Sequence, residues 1–193
     1  KLDDTKVIAS HNNANKVMYD AVFDEKSFHI IDLDPYGTAA NFLDASVQSV
    51  SEGGLLCVTC TDAAVLCGVN PEKSMSKYNS AAIRGAYCHE EALRILLKSI
   101  DSTANVYNRY IVPLLSVSID FYVRVFVRVF TGANKVKQQY GTRSLLYQCC
   151  QCPHFIEIPM ANLIPTNNPN NFKYQHGRVI SPAYCPQCKG QYK

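Results

Sequence analysis

This sequence lacks long hydrophobic runs, glycine-rich phosphate loops, a signal peptide and a strong net charge, and each lack removes a class of protein. The longest nearly apolar run, YIVPLLSVSI from Tyr110 to Ile119, is broken by Pro113 and falls far short of the ~20 residues of a membrane-spanning helix. No membrane span is therefore expected, and no protein partner can be inferred. Neither a dinucleotide-binding nor a P-loop glycine pattern occurs, so either the domain is not of a nucleotide-binding type or its first half lies outside these residues. The opening residues KLDDTKVIAS contain no initiator Met and no signal peptide, and they lead directly into a strand-like run, as in a chain that starts inside a domain. Low-complexity segments are scarce and 47% of the 193 residues are apolar, which excludes a disordered chain and allows one domain with a small appendage.

A net charge of +3 does not by itself suggest a nucleic-acid partner, but its distribution is uneven. Residues 1 to 133 carry twelve Lys or Arg against fifteen Asp or Glu, a balance of −3, while residues 134 to 193 carry seven against one, a balance of +6. A basic appendage beside a mildly acidic body fits an anionic partner, and it fits a solvated basic tail equally well.

The elements read as strand, helix, strand, helix, strand, helix, then two strands, the pattern of a parallel α/β sheet closed by two strands without a long helix between them. KVIAS (Lys6 to Ser10) is the first expected strand, and NNANKVMYDAVF is a helix opened by Asn caps. FHIIDLD (Phe28 to Asp34) reads as a parallel strand buried on both faces. AANFLDASVQSVSEGG reads as a helix closing on Gly53-Gly54 and LLCVTCT as the next buried strand. A polar Pro-containing loop is expected after it, followed by a long amphipathic helix over Ala81 to Ile100. NRYIVPLLSVS and FYVRVFVRVF finish the unit as strands. The second alternates strictly, with Phe121, Val123, Val125, Val127 and Val129 on one face and Tyr122, Arg124, Phe126, Arg128 and Phe130 on the other. The Arg and aromatic face is open either to RNA or to a covering helix past which the Arg heads reach solvent.

In α/β sheets ligands bind beyond the carboxyl ends of the strands. Three loops hold that position: HNNAN, TCTDAAVLCG and the Asp34-Pro35-Tyr36-Gly37 segment. The last has the residue preferences of a type I turn, with Asp first, Pro second and Gly fourth, so it reads as a turn, as chemistry, or as both.

Nine cysteines divide into two groups. Cys57, Cys60, Cys67 and Cys88 lie in apolar or helical patterns where a free thiol acts as a small hydrophobe, which suggests a reducing compartment. Cys149-x-x-Cys152 and Cys185-x-x-Cys188 are two knuckles with 32 residues between them, a spacing that places four thiolates about one structural zinc. The alternative is free thiols or a redox pair, but a redox Cys-x-x-Cys normally follows a strand in a βαβ setting that is missing here. Cys150 is spare by spacing, and His154 and His176 are reserve ligands.

Three stretches, DLDPYGTAANFLDASVQSVSEGGLLCVTCTDAAVLCG, KYNSAAIRGAYCHEEALRILL and PLLSVSIDFYVRVFVRVFTGANKVK, closely resemble the Trm1-type tRNA guanine-N(2) dimethyltransferase family, which modifies guanosine 26. The similarity runs over residues 1 to about 140, and the paired knuckles are similar to the zinc-bearing tail of eukaryotic members. The resemblance implies a Rossmann-like class I methyltransferase sheet, its N-terminal strands missing, over residues 1–133. It also implies an antiparallel last strand and a small basic zinc-binding segment over 134–193. It implies S-adenosylmethionine as cofactor, tRNA as partner, the nucleus as compartment, with cytoplasm or mitochondrion as alternatives, and Asp34, Pro35 and Tyr36 as catalytic residues.

By the same comparison Asn13 and Ala14 contact the cofactor, although the family usually has an acid where Asn13 stands, and Gly37 and Asp62 line the substrate cleft. Asp62 reads equally well as a helix cap. His89 and Glu90 carry no role beyond the surface. With the cofactor's glycine motif upstream of Lys1, the 193-residue chain alone is expected to bind S-adenosylmethionine poorly and not to turn over. A non-catalytic RNA-binding module and an amino-methyltransferase for another base are the alternative readings.

Overall fold

A computed structural model describes residues 7–168, 172–177 and 182–193. The chain forms two compact units, residues 1–132 and 133–193.

The first unit is a four-stranded mixed sheet in the order β1-β2-β4-β3. β1 (Phe28–Leu33) runs parallel to β2 (Val50–Cys60), and β4 (Tyr122–Thr131) is antiparallel to both β2 and β3 (Arg109–Ile119). One face of this sheet is apolar in every strand: Ile31 and Leu33, then Leu56, Val58 and Cys60, then Val123 to Val129 at alternate positions, and Ile111. Met18 of α1 (Ala14–Phe23), Leu43 and Val47 of α2 (Leu43–Ser49), and Ile95, Leu96 and Ile100 of α5 (Cys88–Val106) close over it in one core. Burial of each large aliphatic side chain there contributes about 1.5–3 kcal/mol.

Several sequence expectations are corrected. Val7 to Ser10 form no strand and are exposed; Ile8 is 90% exposed, and Lys6 lies outside the described residues. A strand exists only through a hydrogen-bonded neighbour, and these residues have none among the described ones. β1 is buried on one face only, since Ile30 is 63% exposed. The opposite face of the sheet is open at Ile30, Asp32, Val112 and Arg128, so the expected covering helix does not lie over those residues.

Gly53 and Gly54 do not cap a helix: α2 ends at Ser49 and both glycines lie inside β2. A Cβ on Gly53, at φ +66°, would stand 3.1 Å from the Phe130 ring, and one on Gly54 would stand 2.7 Å from Ser51 Oγ. Close approach, and not helix termination, is what these residues permit.

The expected polar loop contains two short helices, α3 (Ala63–Leu66) and α4 (Pro71–Tyr78), the second opened by Pro71 at a position where its missing N–H costs nothing. The long helix begins at Cys88 instead of Ala81 and runs on to Val106. Phe121 lies in the β3–β4 turn and is exposed, so it does not share the buried face of the valines.

The second unit holds α6 (Ala133–Gln139), an antiparallel pair of β5 (Ser144–Gln148) with β6 (Phe155–Pro159), and a second pair of β7 (Ala161–Pro165) with β8 (Phe172–His176). Its described buried apolar side chains are few: Cys149, Ile158, Ala161 and Cys185. Units of about 60 residues with few buried apolar side chains usually carry a further cross-link such as a disulfide or a metal.

Candidate functional site

β1 and β2 run side by side, with Leu33 opposite Val58, so their carboxyl ends open on the same edge of the sheet. Asp34-Pro35-Tyr36-Gly37 leaves β1 there, and Thr61-Asp62 leaves β2. The two segments are fastened to each other. Gly37 N–H donates to Thr61 Oγ1 at 2.7 Å, and Thr61 N–H donates to Gly37 C=O at 2.8 Å.

The type I turn suggested by the residue pattern is thus not closed by its own Gly37 N–H, which is directed to the neighbouring strand end. Gly37 adopts φ +81°, a backbone conformation open to glycine and costly for other residues, although a Cβ there would meet nothing within 4 Å. With both its backbone groups engaged, Gly37 shapes the segment. Asp34 is exposed and Tyr36 fully so, and neither side chain forms a hydrogen bond among the described residues. Asp32, two residues earlier, is occupied: Arg124 Nη2 grips its carboxylate at 2.8 and 2.9 Å while Nη1 donates to Thr59 Oγ1 at 2.6 Å. Of the two acids in this stretch, Asp34 alone is left for a ligand.

A polar network lies under the segment. Tyr78, 1% exposed, places its hydroxyl 2.6 Å from Thr38 Oγ1 and donates to Asp62 Oδ1 at 2.8 Å, with Cys60 Sγ at 3.6 Å. Thr38 Oγ1 in turn accepts from Ala40 N–H at 3.1 Å. Burial pushes both the Tyr78 phenol and the Cys60 thiol upward, so both stay protonated near neutral pH. Asp62 precedes α3 but its side chain makes no cap hydrogen bond; its carboxylate, 10% exposed, holds Tyr78 and lies 3.4 Å from Lys77 Nζ. Asn13 caps α1, its Oδ1 accepting from Asn15 N–H at 2.9 Å and Lys16 N–H at 3.4 Å, with Ala14 as first helical residue. Asn15 Nδ2 donates to Asn41 C=O at 3.0 Å, which ties the start of α1 to the chain just beyond the Asp-Pro-Tyr-Gly segment.

Sequence reasoning passed over Thr61, Tyr78 and Arg109. Thr61 could have been found as a hydroxyl at a strand end beside the candidate loop. Arg109 could not: it is buried, and its guanidinium donates to Val47 C=O at 2.5 Å, Val50 C=O at 2.7 Å and Ser51 C=O at 3.1 Å, closing the end of α2 and the start of β2. The Val47 carbonyl is among the acceptors that the last turn of a helix leaves without intrahelical partners.

In the second unit Cys149, Cys152, Cys185 and Cys188 converge, all four sulfurs lying within 4.8 Å of one another. The Cys149–Cys188 and Cys152–Cys185 pairs are 3.4 and 3.7 Å apart, close to the ~3.8 Å between sulfurs of a tetrahedral zinc with ~2.3 Å bonds. Gln151 and Gly190 N–H groups point at Cys149 and Cys188 sulfur, each at 3.4 Å, and the Gln151 N–H holds the Cys149 thiol below its usual range. His154 and His176 bond to Tyr192 and Tyr140, each at 3.0 Å, and Cys150 is exposed; none of the three joins the cluster. His89 is exposed, and Glu90 pairs with Arg94 on the helix surface at 2.9 Å.

A parallel strand pair ending in an Asp-Pro-Tyr-Gly segment, with an antiparallel hairpin completing the sheet, is the architecture of a Rossmann-like methyltransferase. A structure entitled as the complex of Trm1 from Pyrococcus horikoshii with S-adenosyl-L-methionine matches with a TM-score of 0.72 and 34% identity over 85% of this chain and 43% of that one. The sequence profile of the family described as N2,N2-dimethylguanosine tRNA methyltransferase matches residues 1–193, and the chain belongs to that family.

Similar proteins include the tRNA (guanine(26)-N(2))-dimethyltransferase of Homo sapiens, 48% identical over 93% of this chain and 27% of its own length. Another is tRNA (guanine(26)-N(2))-dimethyltransferase 1 of Arabidopsis thaliana, 52% identical over 86% of this chain and 28% of its length. The mitochondrial tRNA (guanine(26)-N(2))-dimethyltransferase of Saccharomyces cerevisiae is 40% identical over 94% of this chain and 33% of its length. The chain thus spans roughly a quarter to a third of these relatives. Among the described residues no helix is long and apolar enough to cross a membrane.

Proposed function

We propose that this chain carries the acceptor side of a methyl transfer from S-adenosylmethionine to the exocyclic amine of guanosine 26 in tRNA, giving N(2),N(2)-dimethylguanosine. The observation that carries this reading is the exposure of Asp34 and Tyr36 on a segment held from behind by Thr61 and by the Tyr78–Asp62 network.

The exocyclic amine of guanine is a poor nucleophile because its lone pair is delocalised into the ring. The Asp34 carboxylate and the Pro35 carbonyl accept its two N–H bonds, which fixes the nitrogen's direction and favours the charge that develops on it. Tyr36 offers an unencumbered ring face on which a base taken out of the helical stack can lie. Asp34 or a water takes the proton when the N–C bond forms. A second round meets the same groups with one N–H fewer. Gly37 gives the segment its conformation, and Asp62 acts through Tyr78 and Thr38 as a positioning residue.

S-adenosylmethionine, when bound, supplies an electrophilic methyl group. Asn13 and Ala14 fit an adenine contact: both are exposed at the N-terminus of α1, where the Ala14 N–H lacks an intrahelical partner and the Asn13 amide N–H groups stay available beyond the two cap bonds that its Oδ1 accepts. The four cysteines of the second unit fit zinc as a closed, structural site. The basic segment from residue 134 on then contributes phosphate contacts, with specificity set by the shape of the folded tRNA. A reducing compartment agrees with nine free cysteines.

The test is nucleoside analysis by mass spectrometry of tRNA exposed to the protein that carries this chain. Methylated guanosine at position 26 is expected, and methylation confined to another base would replace this reading with that of a different amino-methyltransferase.

A further inference from the structure

Apart from the candidate site and the four-cysteine cluster, one further group of ligand-type side chains converges among the described residues. The sulfurs of Cys67 and Cys88 and a ring nitrogen of His89 all lie within 4.8 Å of one another. Cys67 ends α3, and Cys88 and His89 open α5, so three residues from two helices meet at one corner.

The chain is shaped to bring them together. Gly68 follows Cys67 at φ +81°, and a Cβ there would lie 2.5 Å from Arg84 N, so this turn presses directly on the Ile83–Arg84 backbone. Ile83 N–H donates to Glu91 Oε1 at 3.1 Å, which fixes the approach to α5. Glu91 stands three residues beyond Cys88, a spacing that puts both on one side of the helix. Its other oxygen, Oε2, is buried and has no hydrogen-bond partner among the described residues. A buried carboxylate oxygen without a partner is unfavourable, and a cation would satisfy it.

We propose that Cys67, Cys88 and His89, completed by Glu91, form a second metal site that takes a zinc-class divalent ion. Two thiolates, one imidazole and one carboxylate are a borderline-soft, four-donor set that suits zinc and not magnesium or calcium. Tetrahedral bonds of about 2.0–2.3 Å place donors about 3.5 Å apart, so binding would draw in both the exposed His89 ring, whose Nδ1 stands 3.4 Å from Ser118 Oγ, and the Glu91 carboxylate, which lies outside the 4.8 Å group. Binding forms two metal–sulfur, one metal–nitrogen and one metal–oxygen bond, and the two thiol protons pass to solvent with no change of oxidation state. The resulting site carries one net negative charge at the N-terminus of α5, the end that favours it. It would join that helix to α3, the helix that starts immediately after Asp62. This site does not depend on the reading of the Asp-Pro-Tyr-Gly segment or on the four-cysteine cluster.

The experiment uses the full chain, stripped with a chelator and titrated with cobalt(II). Wild type is expected to bind one equivalent more than Cys67→Ser/Cys88→Ser, and Cys149→Ser/Cys152→Ser is expected to retain that equivalent. His89→Gln changes an exposed ring and leaves the fold intact, and it should weaken this equivalent tenfold or more, since even a partner one shell further out is worth about 10–100-fold. In cadmium NMR that variant should move one resonance, of mixed sulfur, nitrogen and oxygen ligation, and no other. Equal metal content in wild type and Cys67→Ser/Cys88→Ser, or no resonance sensitive to His89→Gln, overturns the proposal. A Cys67–Cys88 disulfide in the natively purified protein would equally replace it with a redox pair.

Discussion

Tyr78→Phe removes one oxygen atom and leaves a ring of nearly the same shape in a site that is 1% exposed, so its effect isolates the network beneath the candidate loop. The lost hydroxyl is the donor to Asp62 Oδ1 at 2.8 Å and the neighbour of Thr38 Oγ1 at 2.6 Å. A hydrogen bond to a charged group is worth about 1.5–3 kcal/mol. Asp62 keeps Lys77 at 3.4 Å but has little access to water, with 10% of its side chain exposed, so little of the loss is recovered. The variant should therefore lose about 2–3 kcal/mol, which for a chain of this size lowers the melting temperature of the α/β unit by about 4–12 °C. Urea and thermal unfolding followed by circular dichroism measure this, and amide exchange adds a local readout, with faster exchange expected at Gly37 and Thr61. A loss below about 0.5 kcal/mol with unchanged exchange would mean that water replaces the hydroxyl and that the network does not hold the loop.

Three further outcomes follow from the same geometry. Arg109→Met should destabilise the unit by about 3–5 kcal/mol in urea, because it takes the guanidinium donor from the buried Val47 and Val50 carbonyls and the partly buried Ser51 carbonyl; Arg109→Lys should not restore it, since one ammonium does not span all three. The Tyr19 phenol is pushed up to about 12 by its hydrogen bond to Asp44, so its contribution is complete below the unfolded value of about 10 and is lost as pH rises through 12. Tyr19→Phe should flatten that alkaline limb of the stability–pH curve, and an unchanged limb would assign it to other groups. Chelation, or Cys185→Ser, should make residues 133–193 protease-sensitive while the sheet stays protected; a resistant second unit in chelator would show that its core suffices without metal.

What could be read from the sequence was whatever is set by local pattern. Alternation in Val123 to Val129 fixed a half-buried strand, the Asn13 cap fixed the start of α1, and the paired Cys-x-x-Cys spacing brought four thiols together. The misreadings arose where a distant partner decides. KVIAS has the composition of a strand, yet no described strand lies beside it. Gly53-Gly54 has the look of a helix stop, but what crowds out a side chain is the Phe130 ring across the sheet at Gly53, and Ser51, Val50 and the His29 carbonyl of the neighbouring strand at Gly54. The apolar period starting at Ala81 belongs to packed chain that becomes helical only after Gly85, at Cys88. In the candidate site Asp34 and Tyr36 were legible as a loop at a strand end, whereas Thr61 and Tyr78 act through hydrogen bonds across 24 and 40 residues that no local pattern encodes.

Asp34, and not its Arg124-bound neighbour Asp32, is the carboxylate proposed to meet the guanine amine. Asp34→Ala in the protein that carries this chain, assayed for methylated guanosine and for tRNA binding in parallel, tests it most directly. The geometry predicts loss of methylation with tRNA binding retained. Undiminished methylation by the Asp34→Ala protein would show that the Asp34 carboxylate does not receive the amine.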